Sequence, residues 1–119
     1  MAQLTGRCSV KINGQLIRSK PGAKLNLGGV TREAVLGDNG VDGFVQKTAA
    51  PYIEGTFTHG RDTDLQALHD LEDGSVSFET DTGKGYILRN AWSANPPELT
   101  SGEGEVTFRF EGVTCEETT

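Results

Sequence analysis

The strongest signal along the chain is strict alternation of apolar and polar side chains, which puts successive residues on opposite faces of an extended strand. Cys8, Val10 and Ile12 alternate with Arg7, Ser9 and Lys11, and Asn13-Gly14 then supplies residues that tolerate the positive φ angles of a tight hairpin turn. Gln15 to Ser19 is expected to return beside that first strand, and Pro21-Gly22 marks a break. Ile53 and Phe57 alternate with Tyr52, Glu54, Thr56 and Thr58, and Val76 and Phe78 alternate with Ser75, Ser77 and Glu79. Tyr86 to Trp92 has apolar residues on both faces, as expected of a strand buried on both sides or set against a partner. The clearest alternation comes last, with Val106, Phe108 and Phe110 inward and Glu105, Thr107, Arg109 and Glu111 outward. A sheet with one apolar face must cover it, so the expected fold is mainly β, two packed antiparallel sheets in a β-sandwich or barrel-like arrangement.

One short flanking helix interrupts the strands. Asp62 or Thr63 can cap its start, Leu65, Leu68 and Leu71 with Ala67 form a narrow apolar stripe, and Asp73-Gly74 stops it. At about ten residues it is marginal alone and must dock its leucines on a sheet edge or a sandwich end.

The segment from Lys24 to Lys47 breaks the pattern. Gly28-Gly29, a hairpin signal at Asp38-Asn39-Gly40, and Gly43 are interspersed with Leu25, Leu27, Val30, Val35, Leu36, Val41, Phe44 and Val45. A long Gly-rich excursion that exposes apolar residues is unfavourable in a monomer and marks an interaction arm.

Composition supports a single packed domain over residues 1–119, with 112–119 read as a mobile C-terminal tail. Leu, Ile, Val and Phe number 27 of the 119 residues, above the roughly 20% below which disorder is the better reading. The formal charge of -6 argues against nucleic-acid binding, which needs a basic patch to displace counterions. The charge is also unevenly spread. Residues 1–32 hold six basic groups and no acid, whereas residues 98–119 hold six glutamates against Arg109 alone. If those regions lay at opposite rims, neighbouring copies would pair unlike charges.

Met1 to Arg7 lacks the apolar centre of a signal peptide, and no run of about 18 apolar residues is present to span a membrane. The expected setting is a reducing cytosol. Cys8 and Cys115 are read there as free thiols, though they would meet if the first and last strands were neighbours.

Nothing in the sequence specifies an enzyme, a cofactor or a metal. His59, Asp62, Asp64, His69 and Asp70 crowd together, but their spacing fixes no three ligands on one face, and Asp62 and Asp64 are better read as an N-cap and a first-turn acid that complements the helix dipole. Gly83-Lys84-Gly85 lacks the flanking residues of a phosphate loop and is read as a hairpin turn. No nucleophile motif accompanies the Ser, His and Asp residues. Trp92, the only tryptophan, is read as a core or interface anchor.

The ordered pieces nevertheless form a pattern. They run from Val10-Lys11-Ile12-Asn13-Gly14 through Lys20-Pro21-Gly22-Ala23-Lys24-Leu25, Gly28-Gly29-Val30-Thr31-Arg32, Gly40-Val41-Asp42-Gly43-Phe44 and Pro51-Tyr52-Ile53-Glu54-Gly55. They continue through Asp62-Thr63-Asp64-Leu65 and Asn90-Ala91-Trp92 to Gly104-Glu105-Val106-Thr107-Phe108. In order and in total length the chain resembles the tail tube proteins of Mu-like contractile-tailed phages, which are similar in architecture to type VI secretion tube proteins and to tubes of phage-tail-like bacteriocins. The resemblance implies a structural, non-enzymatic subunit that assembles with itself into hexameric rings stacked as the inner tube of a tail. It implies DNA as a non-specific passenger, with sheath, baseplate and tail terminator proteins as partners and no membrane. It implies a place in the virion tail, with assembly in the host cytoplasm. A ring-forming tail terminator or adaptor, or the tube subunit of a phage-tail-like bacteriocin or secretion system, is the alternative. On this reading Leu25, Leu27, Val30, Arg32, Val35, Leu36, Val41 and Phe44 belong to an inter-ring stacking arm, and Glu54, Thr56, Thr58, Glu79 and Asp81 are candidates for the lumen face.

Overall fold

The computed structural model describes residues 2–17, 19–61 and 64–118. The chain forms β1 (Cys8–Ile12), β2 (Gln15–Ile17), β3 (Lys24–Asn26), β4 (Gly29–Gly37), β5 (Gly40–Ala49) and β6 (Tyr52–Thr58). It continues with α1 (Leu65–His69), β7 (Gly74–Thr80), β8 (Gly85–Ser93), β9 (Glu98–Thr100), β10 (Glu105–Glu111) and β11 (Thr114–Glu117). All strand pairs are antiparallel. The alternation that predicted β1, β6, β7 and β10 is the alternation observed, with Val10, Ile12, Ile53, Phe57, Val76, Phe78, Val106, Phe108 and Phe110 all buried.

The main sheet runs β2-β1-β7-β8-β10-β6-β3, with β11 added to β8 and β9 to β10. It folds over on itself because β8 serves both halves. Its first part pairs with β7 and β11, and its end, Trp92 and Ser93, pairs with β10. Asn90 sits at the corner with φ of 53°, opposite a register shift between Gly74 and Val76. Asparagine tolerates this left-handed conformation, and a bulge bends its strand sharply. Asn90 Nδ2 donates to Asp73 Oδ1 at 2.7 Å, which holds the bend.

The two halves pack their apolar faces together as the expected sandwich. Side chains from β1, β7 and β8 meet those from β6 and β10 in one core, where the Phe108 ring lies 5.7 Å from Phe57 and 5.6 Å from Phe110. The strands form an open path and not a closed barrel; Ser19 bridges Phe57 between its two ends. Asn13 (φ 50°) and Gly14 (φ 84°) make the first hairpin as expected, and Gly83 (φ 93°) lies in the expected turn between β7 and β8.

The helix is shorter than expected. Asp64, not a first-turn acid but the cap itself, accepts a hydrogen bond from the Ala67 amide at 3.1 Å. The expected caps Asp62 and Thr63 lie outside the described residues. Leu65, Leu68 and Leu71 pack against the core, and the Ser93 amide donates to the Leu71 carbonyl at 3.0 Å, docking α1 on the sandwich.

Three short strands went unread in the sequence. Neither β3 nor β9 is long enough to show a period of two. The third, β11, replaces the expected mobile tail, because Thr114 to Glu117 find free edge positions along Arg89 to Tyr86 of β8. Cys8 and Cys115 are free thiols. With β7 and β8 lying between β1 and β11, three strand spacings of about 4.8 Å each keep the cysteines beyond disulfide reach.

Candidate functional site

The feature that sets this molecule apart is the ribbon formed by β4 and β5, a separate two-stranded sheet. Nine registered pairs run from Gly29–Ala49 at its base to Gly37–Gly40 at its tip, where Asp38-Asn39 makes the expected turn and Gly40 has φ of 120°. Every residue of both strands is exposed except Ala49, which is half-buried. The radius of gyration is 17.2 Å and the molecule measures 60 × 39 × 29 Å, whereas a compact chain of this length has a radius near 13.5 Å. The ribbon therefore projects from the body.

Paired residues of an antiparallel ribbon share a face. One face presents Val30, Ala34, Leu36, Val41 and Phe44, with the Arg32 guanidinium 5.9 Å from the Phe44 ring centre. The other mixes Val35 and Val45 with Thr31 and the Glu33–Lys47 ion pair at 3.1 Å. Leu36 is 73% exposed, Val41 70% and Phe44 58%. A lone two-stranded ribbon is marginal in water even when it has a hydrophobic face to bury, and here neither face is covered.

The projecting segment is not the Lys24 to Lys47 stretch expected from the sequence. Lys24 to Asn26 pair with β6 as a body strand, and Leu25 packs against the core, so Leu25 leaves the arm. The base is fixed at Gly28, whose φ is 76° and whose missing Cβ would lie 2.7 Å from Pro51 N and 2.9 Å from the Ala49 carbonyl. Leu27, 53% exposed, lies just before it.

The five residues expected on a lumen face divide between the two halves of the main sheet. Glu54, Thr56 and Thr58 lie on the outward face of β6, beside Arg109, Thr107 and Glu105 of β10. Glu79 lies on the outward face of β7, on the opposite side of the sandwich, 3.7 Å from Lys11 Nζ. Asp81 follows β7 in a turn, where its carboxylate accepts from the Gly6 and Arg7 amides at 3.3 and 3.2 Å.

On the β3-β6-β10 face, Arg109 is the centre of a cluster that the sequence reading placed outward and no further. Its Nη1 donates to Glu54 Oε2 at 2.8 Å, its Nε and Nη2 to Glu111 Oε1 at 3.3 and 3.2 Å, and its guanidinium lies 4.0 Å from the Tyr52 ring centre. Burial works against the charge, but the hydrogen bonds with Glu54 and Glu111 outweigh it and hold the Arg109 pKa above its ordinary value. Nearby, Lys20 pairs with Glu105. The basic N-terminal region thus meets acidic groups within one subunit, as Arg7 does with Asp81 at 3.6 Å, and the charge asymmetry is in good part compensated internally.

Asp70 accepts from Gln66 Nε2 at 2.9 Å in the former candidate metal cluster, and no three metal-ligating side chains group together among the described residues. Trp92 is half-buried in register with Glu111, outside the core cluster. No helix of the described residues is long and apolar enough to cross a membrane.

The chain matches the family model of the phage tail tube protein over residues 1–117. It is 31% identical over 113 residues to the Mu-like prophage FluMu tail tube protein of Haemophilus influenzae, covering 95% of this chain and 94% of that one. It is 35% identical over 101 residues to the tail tube protein of Escherichia phage Mu, covering 85% of each. Among solved structures it is similar in fold to the tube-terminating cap of the anti-feeding prophage, with a TM-score of 0.67 and 11% identity over all of this chain and 92% of that one. These relatives are structural proteins and not enzymes. An exposed ribbon on a sandwich body fits that assignment, and the chain belongs to the phage tail tube protein family.

Proposed function

We propose that this subunit forms hexameric rings that stack into the inner tube of a contractile tail, with DNA passing through the lumen. The observation that carries the reading is the β4–β5 ribbon, exposed on both faces in the isolated chain. Such a surface needs a partner, and contacts that repeat without closing build filaments while contacts that close build rings. Leu27, Val30, Arg32, Val35, Leu36, Val41 and Phe44 act as the stacking arm that reaches the adjacent ring. Sheath, baseplate and terminator proteins complete the set of partners, and the assembled tube is a virion component put together in the host cytoplasm.

For the lumen we assign the outward face of β3, β6 and β10, which includes Glu54, Thr56 and Thr58. Lys20, Lys24 and Arg109 project there against Glu54, Glu98, Glu105 and Glu111. On the opposite face Lys11 and Arg89 are balanced by Glu79 and Glu116. A wall that phosphates must slide past without sticking favours the more acidic side, with its arginine already held by carboxylates. Glu79 and Asp81 then lie away from the lumen.

Deleting Asp38 to Gly43 is expected to leave a folded subunit, by circular dichroism, that forms no long tubes in electron micrographs. Normal tubes from that deletion contradict the arm. A second reading, a terminator that stays a single ring, is favoured by the backbone likeness to a tube-terminating cap. Micrographs of the full chain at high concentration separate the two, since long tubes support the first and isolated rings the second.

A further inference from the structure

The arm has a match elsewhere on the same chain. A groove of about 300 Å³ opens between α1 and the β1–β2 hairpin, its apolar part lined by Leu16, Ile17, Leu68 and Leu71 and its polar part by Gln15 and Asp64 among others. Leu16 is 59% exposed on its rim. An apolar cavity of about 150 Å³ already accepts a benzene-sized group, so this groove has room for more than one aliphatic side chain. The arm tip offers two, Leu36 and Val41, directly paired across the ribbon.

The two features lie at opposite ends of the body. The arm springs from Gly29 and Ala49, next to Tyr52 at the start of β6, whereas Phe57 and Thr58 at the end of β6 border the groove. Seven residues of strand separate these ends by about 20 Å. A convex apolar tip at one end and a concave site with an apolar wall of leucines and isoleucine at the other describe a head-to-tail contact between identical chains. The size is also sufficient. Nine paired positions at about 3.4 Å, across two strands about 4.8 Å apart, give a ribbon roughly 30 Å by 10 Å. Covering both its faces along the whole length, with the groove taking only the tip, buries about 600 Å² on the arm and a similar area on the neighbouring copies, about the 1,200 Å² at which specific interfaces begin.

We propose that the arm tip, Leu36 with Val41, seats in the groove between α1 and the β1–β2 hairpin of the neighbouring copy it reaches. Each copy thereby gives one arm and accepts one. The proposal rests on the self-assembling tube reading and names the acceptor site.

The test is photo-crosslinking in the full-length chain with Leu36→p-benzoylphenylalanine, at an exposed position that should leave the fold intact. After assembly and irradiation, the crosslinked peptides are expected to contain Leu65–Leu71 or Ile12–Ile17 of a second copy. Assemblies whose crosslinks map only to other segments overturn the groove while leaving the tube reading standing. If the unmodified chain forms neither rings nor tubes in micrographs, the tube reading fails and takes this contact with it. As a second measurement, Leu16→Asp, at the exposed rim of the groove, is expected to abolish long tubes while the circular dichroism spectrum stays unchanged; tubes of normal length from a folded Leu16→Asp protein overturn the proposal.

Discussion

Arg109 and Glu54 stand directly opposite each other on β10 and β6, joined at 2.8 Å on an outward face where each side chain is about 30% exposed. The bridge is part of a trio with Glu111 and lies against Tyr52. Its energetic value is modest, because partly exposed pairs are screened by solvent. Its second effect is to occupy the guanidinium's donors with carboxylates.

Glu54→Gln is therefore expected to lower stability by about 0.5 to 1 kcal/mol, read in a urea melt. The double variant with Glu111→Gln should release Arg109 and produce salt-sensitive DNA retention that the parent lacks, since each freed cation adds a phosphate contact. An electrophoretic mobility assay unchanged by the double variant counts against the assigned lumen face.

Gly28 fixes where the arm leaves the body. Gly28→Ala puts a methyl group against Pro51 and the Ala49 carbonyl at a φ that L-residues avoid. A loss of about 1 to 3 kcal/mol is expected in equilibrium unfolding. A variant as stable as the parent would show that the base rearranges freely.

The core is expected to respond like any close-packed interior. Phe110 is 1% exposed and packs its ring on Phe108. Phe110→Ala should cost about 3 to 5 kcal/mol through lost burial and the cavity left behind. By contrast, Leu36→Ala on the arm should leave the thermal midpoint of the monomer nearly unchanged, and equal effects of the two in a melting experiment would contradict the assignment of interior and arm.

Desolvation by burial raises the pKa of both thiols above the ordinary 9.0, helped at Cys8 by the Asp81 charge against a lowering hydrogen bond from Ser19, and at Cys115 by the Glu116 charge. The folded state thus prefers the neutral thiols. That preference contributes fully below pH 9 and is lost as the pH rises through the folded values. Alkylation in the native protein should show a midpoint above pH 9, and the fall in melting temperature above pH 9 should be shallower in the Cys8→Ser, Cys115→Ser double variant. A native midpoint at or below 9 would rule this out.

Local signals were enough wherever the cause was local. Alternation marked β1, β6, β7 and β10 because a half-buried strand must place every second side chain inward. Asn13-Gly14 and Gly40 marked turns because few other residues reach those φ angles, and the leucine stripe marked a helix that needs a sandwich to dock on. The Gly-rich stretch announced an arm by its apolar residues, though not its edges. Those edges depend on β3 pairing with β6, a contact between segments about thirty residues apart that three residues of strand do not advertise. The same holds for β11, which is a strand because β8 leaves an edge open, and for Asn90, whose bend sends one strand into both sheets. Alternation also told that Glu54 and Glu79 point outward, but outward has two directions in a sandwich. Only the packing of the halves put them on opposite sides, and only the folded body set the arm at one end of β6 and a groove beside α1 at the other.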